Sequence, residues 1–355
     1  MTAFYYSFWM LVLLALLTIN LNMKKKQRNW VVVCTIVFLS LLAGLRYDNA
    51  DYKAYEEMFA NPWVLSADKG FSLLIAIIKL VATSPLFMFI LVAFVAVSLN
   101  ILSYRKYSPY LFVSVLFYFV HSFLLKEYVQ IRAGLSSAIC LYSIRYIENR
   151  NVRKYILCTI LAMSIQFSSI IFFPLYWLYH LMNHKNDKYL LLFLLISCMI
   201  GMLFPLGQIL KEYVFLFDGS SRLAVYASWE TFSKEIGIFT NMTTVKQIVL
   251  CIFCYIYRDR LKDQIYYFSP LYLSYIFSTC WLMLFNDFSI VGARMAAFLS
   301  IGEPIFFAGI LGMFSRQSRI VVLSFFIMFS YMVMDMNLHT KTLGKYCLHP
   351  FTSLI

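Results

Sequence analysis

The stretch Leu86-Phe-Met-Phe-Ile-Leu-Val-Ala-Phe-Val-Ala-Val-Ser-Leu-Asn-Ile-Leu-Ser103 decides the fold, because it is almost continuously apolar and carries no charge. A helix needs roughly 17–25 such residues to cross the hydrocarbon core of a bilayer. The runs Ala3–Leu21, Ile265–Phe285 and Val291–Phe314 have the same character. Continuous rather than alternating apolarity favours helices over a barrel. The sequence therefore predicts an all-α, polytopic integral membrane protein.

The composition of the whole chain agrees with this prediction. Of 355 residues, 62% are hydrophobic and only 13% are charged, whereas soluble domains carry about a quarter charged residues. The net charge of +13 is spread over short basic clusters between apolar runs, at Lys24–Arg28, Arg105–Lys106, Arg150–Lys154, Arg258–Lys262 and Arg316–Arg319. Such clusters are typical of loops that follow the positive-inside rule, which excludes a nucleic-acid-binding protein.

No linker or low-complexity stretch divides the chain, so residues 1–355 are interpreted as a single multi-pass membrane domain. Two polar segments, residues 46–69 and 205–242, are predicted to be outward-facing loops. The segment Lys154–Met182 is interpreted as two short helices that meet near Gln166, whose amide would be costly in lipid without a partner. We predict about 11–13 transmembrane helices in total, with both termini outward and one re-entrant segment.

The orientation follows from the positive-inside rule. The cluster Lys24–Arg28 places the first loop in the cytoplasm, so the loop Arg46–Lys69 faces outward. The next apolar stretch, Gly70–Ala82, is too short to span at about 1.5 Å per residue. If it enters the membrane and returns on the same side, the later basic clusters lie inside; if it spans, they move outside. The re-entrant interpretation is therefore favoured.

Four arginines lie at helix ends or in outward loops, where the positive-inside rule does not account for them. They are Arg46, Arg132, Arg222 and Arg294. Each could snorkel to the interface or pair with a neighbouring acid such as Asp48, Asp287 or Glu127. Guanidinium groups that converge at one interface instead suit a phosphate or diphosphate, which they bind through paired hydrogen bonds. A lipid with a diphosphate head in the outer leaflet would present that ligand at this depth.

Two carboxylates and two tyrosines lie close together in the first polar segment. If Asn49–Phe59 is a short helix, Asp51, Tyr52 and Tyr55 share one face. A carboxylate beside aromatic rings can bind and activate a sugar, because the acid accepts hydroxyl protons and the ring packs on the apolar sugar face. The alternative is that Asp48 or Asp51 caps an interfacial helix whose tyrosines belong to the aromatic belt.

One carboxylate and one histidine stand within apolar runs. Glu303 precedes Pro304, and a carboxylate there is expected to be neutral or paired, for instance with Lys79. His121 lies near the outer end of its predicted helix. No His, Cys, Asp and Glu residues have metal-ligand spacing, and no phosphate-binding glycine loop occurs. A mechanism without a metal or other cofactor is therefore favoured.

Four segments resemble, in order, the motifs of the EpsG/Wzy family, membrane proteins of bacterial exopolysaccharide and O-antigen assembly. The signature Gly44-Leu-Arg-Tyr-Asp-Asn-Ala-Asp-Tyr-Lys-Ala-Tyr55 resembles the family pattern after the second helix. Gln130-Ile-Arg-Ala-Gly-Leu135, Ala162-Met-Ser-Ile-Gln-Phe-Ser-Ser-Ile170 and Gly292-Ala-Arg294 resemble the three later motifs. The similarity covers most of the chain in order and layout.

Two departures from the family pattern bear on mechanism. Gln166 stands where the family usually has His, and Lys69-Gly-Phe71 stands where it has Glu-Gly-Tyr. If that histidine is a catalytic base in other members, the role passes here to Asp48, Asp51 or Glu303. The other interpretation is that the family histidine is only structural.

The resemblance implies a polymerase of undecaprenyl-pyrophosphate-linked oligosaccharide units in the bacterial inner membrane. The growing glycan leaves its lipid pyrophosphate and moves onto the non-reducing end of a new unit on the periplasmic face. This chemistry requires stabilisation of the departing diphosphate and a base for the incoming hydroxyl. A chain-length regulator and a flippase are candidate partners.

The candidate site residues follow from that chemistry. The catalytic candidates are Asp51, Asp48 and Arg132, with Asp51 the preferred base. The candidates for substrate binding are Arg46, Tyr52, Tyr55, Gln130, Arg222 and Arg294. Of these, Arg46 and Arg294 are assigned to the diphosphate together with Arg132, and Arg222 is a loop contact.

Three other functions are weighed against this one. A flippase for lipid-linked oligosaccharide also needs cations near a diphosphate, but it should carry them along a central cavity and show an internal repeat. An O-antigen ligase shares the chemistry but transfers to a different lipid acceptor. A membrane acyltransferase would use a histidine in an apolar helix, for which His121 is the candidate.

Overall fold

The apolar runs become helices in a computed structural model of the protein. It describes residues 2–20, 24–47, 49–65, 68–182, 188–217, 237–340, 343 and 347–348. In the first half these are α1 Thr2–Asn20, α2 Lys25–Gly44, α3 Tyr52–Ala60, α4 Pro62–Leu65, α5 Lys69–Lys79, α6 Pro85–Tyr107, α7 Leu111–Tyr118, a π-helix Phe119–Phe123, and α8 Ile131–Glu148.

The second half continues the helical pattern. Its helices are α9 Val152–Ile165, a 3₁₀ helix Phe167–Phe172, α10 Leu175–Leu181, α11 Lys188–Leu203, α12 Leu206–Phe217, α13 Met242–Ile256, α14 Arg258–Gln264, α15 Phe268–Leu284, α16 Ser289–Leu299, α17 Glu303–Gly312 and α18 Arg316–Thr340. The interruption expected near Gln166 is confirmed, because α9 ends at Ile165 and the 3₁₀ helix begins at Phe167.

Among the described residues, α1, α2, α6 and α18 are long and apolar enough to cross a membrane. The number rises to six if the bent pairs α11–α12 and α16–α17 each count as one span. Shorter apolar helices accompany them, at Leu111–Phe123, Phe167–Leu181, Met242–Ile256 and Phe268–Leu284. The prediction of an all-α polytopic membrane protein is confirmed. The count of eleven to thirteen spans stays a prediction, because length and composition assign only four to six.

Helices α2 and α6 run antiparallel and define the two ends of the bundle. At one end, Arg105 of α6 donates a hydrogen bond to the side chain of Asn29 on α2 at 2.7 Å. At the other, a Cβ on Gly44 would lie 2.7 Å from the Cα of Ile90, so this close approach requires glycine. We call the end that holds Gly44 and Ile90 the outer end, and the opposite end the basic end.

The basic clusters meet at the basic end. Arg145, in the last turn of α8, donates to the hydroxyl of Tyr107 at 3.2 Å. Lys106 lies 5.3 Å from the ring centre of Tyr267, which follows α14. Arg319 lies 5.0 Å from the ring of Tyr110, just before α7. Helices α2, α6, α8 and α18 therefore place their basic termini on one side, as the positive-inside rule requires.

The chain between α2 and α6 enters and leaves on the outer side, because α2 ends there and α6 begins there. Helix α5 is 11 residues long, which corresponds to about 16 Å and is too short to span. Its last residue, Lys79, donates to the carbonyl of Ala60 at 3.0 Å, so α5 stays against the end of α3. This path agrees with the re-entrant interpretation of Gly70–Ala82.

The predicted single run Val291–Phe314 is instead two helices, α16 and α17, bent by 49°. Pro304 gives the physical reason, since it lacks the N–H that would continue the hydrogen bonding of α16, whereas proline is tolerated in the first turn of α17. Hydroxyl groups of α15 satisfy carbonyls near the break. Ser278 donates to Ala296 at 2.8 Å, and Ser274 donates to Leu299 at 2.7 Å.

A two-residue β-pair supplements the helices at the outer end. Strand β1, Arg46–Tyr47, pairs antiparallel with strand β2, Cys347–Leu348. Arg46 is opposite Leu348 in this register. The C-terminal part of the chain therefore returns to the segment that follows α2.

The two ends can be assigned to sides of the membrane by labelling. In a parent without the exposed cysteines Cys34 and Cys347, we expect Lys53→Cys to react with an impermeant maleimide in intact spheroplasts. Arg260→Cys should react only after permeabilisation, because the positive-inside rule predicts that the basic end faces the cytoplasm. Both positions are exposed. The reverse labelling pattern would contradict the orientation.

Candidate active site

Arg46 occupies the outer end of α2 and is fully buried. Its Nη1 donates to the carbonyl of Glu127 at 2.8 Å, and its guanidinium carbon lies 4.7 Å from the ring centre of Phe89. Within the described part of the chain, Nε and Nη2 are buried without a hydrogen-bond partner. Burial lowers the pKa of Arg46 to about 10, so the group is charged at neutral pH. A buried cation whose hydrogen-bonding capacity is only partly met favours an acidic group nearby, and the charge of Asp51 acts on it.

Asp51 directly precedes α3 and is partly exposed. Burial raises the pKa of its carboxyl group, and the positive charges of Arg294, Arg46 and Arg132 oppose that rise, in decreasing order. The three arginines come from the end of α2, the start of α8 and the middle of α16. The charges of all three arginines therefore act on one carboxylate, and their predicted role at a diphosphate stays a prediction.

Arg132 lies in the first turn of α8. Its Nη1 donates to Oδ2 of Asp68 at 2.6 Å. The guanidinium carbon lies 5.9 Å from the ring centre of Tyr55 and 5.8 Å from that of Phe71. Asp68 was not among the residues that the sequence singled out. The one signal for it is its position directly before the Lys69-Gly-Phe71 motif.

Arg294 is positioned by the contacts of α16. This helix packs against the 3₁₀ helix Phe167–Phe172. Lys126, just before α8, donates to the carbonyl of Ala297 at 2.9 Å and lies 5.5 Å from the ring of Phe298. Helix α16 therefore lies against the outer ends of α8 and α9, which bear Arg132 and the Gln166 break.

The two tyrosines of the signature are buried. Tyr52 is stacked on Phe89 with ring centres 5.0 Å apart, and it is only 2% exposed. Tyr55 is 4% exposed and packs edge-on against Phe71 at 6.1 Å. The helix that carries them begins at Tyr52 and not at Asn49. These contacts are those of core aromatic residues, so a role of the tyrosines in sugar binding stays a prediction.

The glutamines of the two later motifs lie at helix termini. Gln130 precedes the first residue of α8 and is partly exposed, and its backbone N–H donates to Leu125 at 3.0 Å. Gln166 follows α9 in extended conformation, and its carbonyl accepts from the hydroxyl of Ser169 at 2.9 Å. The next residue, Phe167, donates its N–H to Asp68 at 3.1 Å. The Gln166 break therefore adjoins the Asp68–Arg132 pair.

Two predicted site residues, Asp48 and Arg222, lie outside the described residues. Half of the predicted outer loop 205–242, residues 218–236, also lies outside them. Of its described part, residues 206–217 form α12, and the side chain of Asp287 accepts hydrogen bonds from the N–H groups of Gly207 and Gln208, both at 2.9 Å. Asp287 therefore caps the start of α12.

A second group of ionisable side chains lies inside the bundle. Oε1 of Glu303 accepts a hydrogen bond from Nζ of Lys246 at 2.6 Å and lies 3.5 Å from Nδ1 of His121. Oε2 of Glu303 accepts from the hydroxyl of Tyr275 at 2.9 Å. We call these four residues the buried ion cluster. They connect the π-helix, α13, α15 and α17.

The structure corrects the sequence interpretation of Glu303. Glu303 is the first residue of α17 and not a mid-helix residue, and its partner is Lys246 and not Lys79. Lys79 is at the end of α5 and donates to a backbone carbonyl instead. The sequence could not identify Lys246, because the contact depends on how α13 and α17 pack.

The fold and the site together define a polytopic membrane protein with converging arginines at the end opposite its basic loops. Residues 29–353 match the EpsG family, and the chain belongs to this family. It is similar to the amylovoran biosynthesis protein AmsC of Erwinia amylovora, with 25% identity over 356 residues that cover 91% of this chain and 89% of that relative. No solved structure matches the chain. The resemblance carried by the sequence motifs is thereby confirmed.

Proposed function

We propose that this protein is a polysaccharide polymerase of the bacterial inner membrane. It transfers a glycan from undecaprenyl pyrophosphate to the non-reducing end of a new lipid-linked repeat unit on the periplasmic face. Membership of the EpsG family and similarity to a protein named for amylovoran biosynthesis support a role in polysaccharide assembly. The donor and the acceptor are those that the family resemblance implies, and the side of the membrane is inferred from the positive-inside rule.

The observation that carries the proposal is that Arg46, Arg132 and Arg294 all lie at the outer end, where their charges act on the carboxylate of Asp51. Guanidinium groups contributed by separate segments at one end of a bundle suit a diphosphate, which they bind through paired hydrogen bonds. The site is at the end of the bundle opposite the basic clusters, which is the periplasmic side by the positive-inside rule. A lipid diphosphate in the outer leaflet would meet it there.

The proposed reaction uses the residues in two roles. Asp51 accepts the proton of the acceptor hydroxyl, whose oxygen forms a bond with the anomeric carbon of the donor sugar. The bond between that carbon and the phosphate oxygen breaks, and the diphosphate leaves with the electron pair. Burial raises the pKa of Asp51, which makes it a stronger base than an exposed aspartate. The arginines stabilise the charge that develops on the leaving diphosphate.

The glycan ladder of a deletion strain tests the proposal. We expect such a strain to attach or export single repeat units and no longer chains, with the ladder restored by a plasmid copy. Complete loss of attached glycan would instead indicate a ligase. Accumulation of units on the cytoplasmic side would indicate a flippase. Either result would overturn the polymerase proposal.

A further inference from the structure

Asp68 joins three separate segments of the outer end. Its Oδ2 accepts from Nη1 of Arg132 at 2.6 Å, and its Oδ1 accepts from the backbone N–H of Phe167 at 3.1 Å. Its carbonyl accepts from the N–H groups of Phe71 and Ser72 at 3.0 and 3.1 Å, which closes the first turn of α5. One residue thereby connects the first outer loop, the start of α8 and the break after α9.

Gly70 allows this arrangement. A Cβ at position 70 would lie 2.2 Å from the side-chain oxygen of Ser164 and 2.7 Å from its carbonyl oxygen. No side chain fits at this distance, so the start of α5 rests directly on the last turn of α9. This close approach places the Asp68 carboxylate within reach of Arg132 and Phe167 together.

The Asp68–Arg132 pair is largely removed from water. The side chains are 10% and 15% exposed, respectively. A charge-assisted hydrogen bond in such surroundings fixes geometry as well as contributing energy. Rings of Tyr55 and Phe71 flank the guanidinium group at 5.9 and 5.8 Å, so it is restrained from several directions.

The carboxylate contacts the guanidinium group through Nη1. Nη1 donates to Asp68, whereas Nε is buried without a hydrogen-bond partner among the described residues. The fork of an arginine that binds a diphosphate in bidentate fashion uses two nitrogens on one edge. With Nη1 held by Asp68, the edge formed by Nε and Nη2 does not take part in this contact.

We propose that Asp68 is a positioning residue, which holds Arg132 in the orientation that stabilises the departing diphosphate. This inference rests on the proposed polymerase function. An arginine side chain has several rotatable bonds, and a catalytic donor is effective only when it is already oriented toward the charge that develops. The carboxylate removes that freedom before the substrate arrives.

The alternative is that Asp68 only anchors the outer loop. Helix α5 has other attachments that do not involve the carboxylate, since the hydroxyl of Ser72 donates to Pro62 at 2.8 Å and the Asp68 carbonyl serves the first turn. Loss of the carboxylate therefore leaves these attachments intact. It releases the side chain of Arg132 and the N–H of Phe167.

A double-mutant cycle separates the two roles. The probe is lipid-linked glycan extracted from membranes of the deletion strain, and the initial rate of chain extension is measured against its concentration. We expect Asp68→Ala to lower kcat about 10²-fold with KM changed little, since misplacement of a catalytic group by about 1 Å can cost this much. In the Arg132→Ala background, Asp68→Ala should have no further effect on kcat, because it acts through Arg132.

Asp68→Asn gives a second variant that keeps the shape of the side chain, and we expect an intermediate loss of kcat. Glu57→Ala removes an exposed carboxylate from the same outer segment and should leave kcat unchanged. A kcat for Asp68→Asn equal to that of the parent would overturn the inference. So would an Asp68→Ala change that lowers kcat by the same factor in the parent and in the Arg132→Ala variant. Full activity of Arg132→Ala alone would instead contradict the proposed function.

Discussion

Replacing Arg132 or Arg294 by alanine is expected to give normal amounts of membrane protein that makes only single-unit product. Each arginine contributes a charged donor to the site around Asp51. Losing one preorganised donor typically costs about 3 kcal/mol in the transition state, which is roughly 10²–10³-fold in rate. Chain extension at that rate would fall behind the export of single units. The measurement is the glycan ladder of the complemented deletion strain, with protein amount followed by immunoblot.

Lysine substitutions sharpen this prediction. Arg132→Lys should be nearly as harmful as Arg132→Ala, because an ammonium group cannot reproduce a bidentate contact. Arg105→Ala is the matched control, since Arg105 is an exposed arginine at the basic end and should leave the ladder unchanged. Arg46 is less suitable as a test, because its full burial and its bond to Glu127 make a folding defect hard to separate from a catalytic one. Normal long chains from Arg132→Ala would refute the assignment.

Features that depend on local sequence could be predicted. Apolar runs form helices for two reasons that lie within the run itself. Their side chains are stable in lipid, and a helix satisfies every backbone hydrogen bond within the same segment. Arg46 follows such a run and begins a polar segment, which places it at a membrane interface. The break at Gln166 follows equally from a polar amide within an apolar segment.

Features that depend on packing between distant segments could not be predicted. Asp68 and Arg132 are 64 residues apart, and Lys246 and Glu303 are 57 apart. The sequence around Asp68 or Glu303 does not show whether the carboxylate pairs with a basic side chain or is exposed to water. The pairing is set by which helices are neighbours, and in this fold that order is not the order of the chain.

The surroundings of the aromatic residues Tyr52 and Tyr55 could also not be predicted. Tyr52 and Tyr55 have the spacing of one helical face, which suits a sugar platform and a packed core equally well. In the structure their rings contact Phe89 and Phe71. Periodicity therefore shows that Tyr52 and Tyr55 share one face of the helix, but not whether that face packs against the protein or binds a sugar.

Removing one partner of the Lys246–Glu303 pair is expected to be strongly destabilising. The side chain of Glu303 is only 7% exposed, and the pair lies among apolar helices. Breaking a buried ion pair by removing one partner typically costs about 3–5 kcal/mol, and the carboxylate of Glu303 would then be left with the hydroxyl of Tyr275 and the ring of His121. Lys246→Met should therefore lower the temperature of unfolding in detergent and the amount of protein in the membrane.

The double variant Lys246→Met/Glu303→Gln should recover most of the lost stability, because it leaves no unpaired charge in the buried ion cluster. The control is Asp259→Asn, which removes one partner of the Arg258–Asp259 pair, whose carboxylate is 87% exposed. Exposed pairs contribute about 0–1 kcal/mol, so this change should leave the unfolding temperature nearly unaltered. A double variant no more stable than Lys246→Met would show that the single change acts through lost packing. In that case the charge of Glu303 could not be the reason that α13 and α17 are held together.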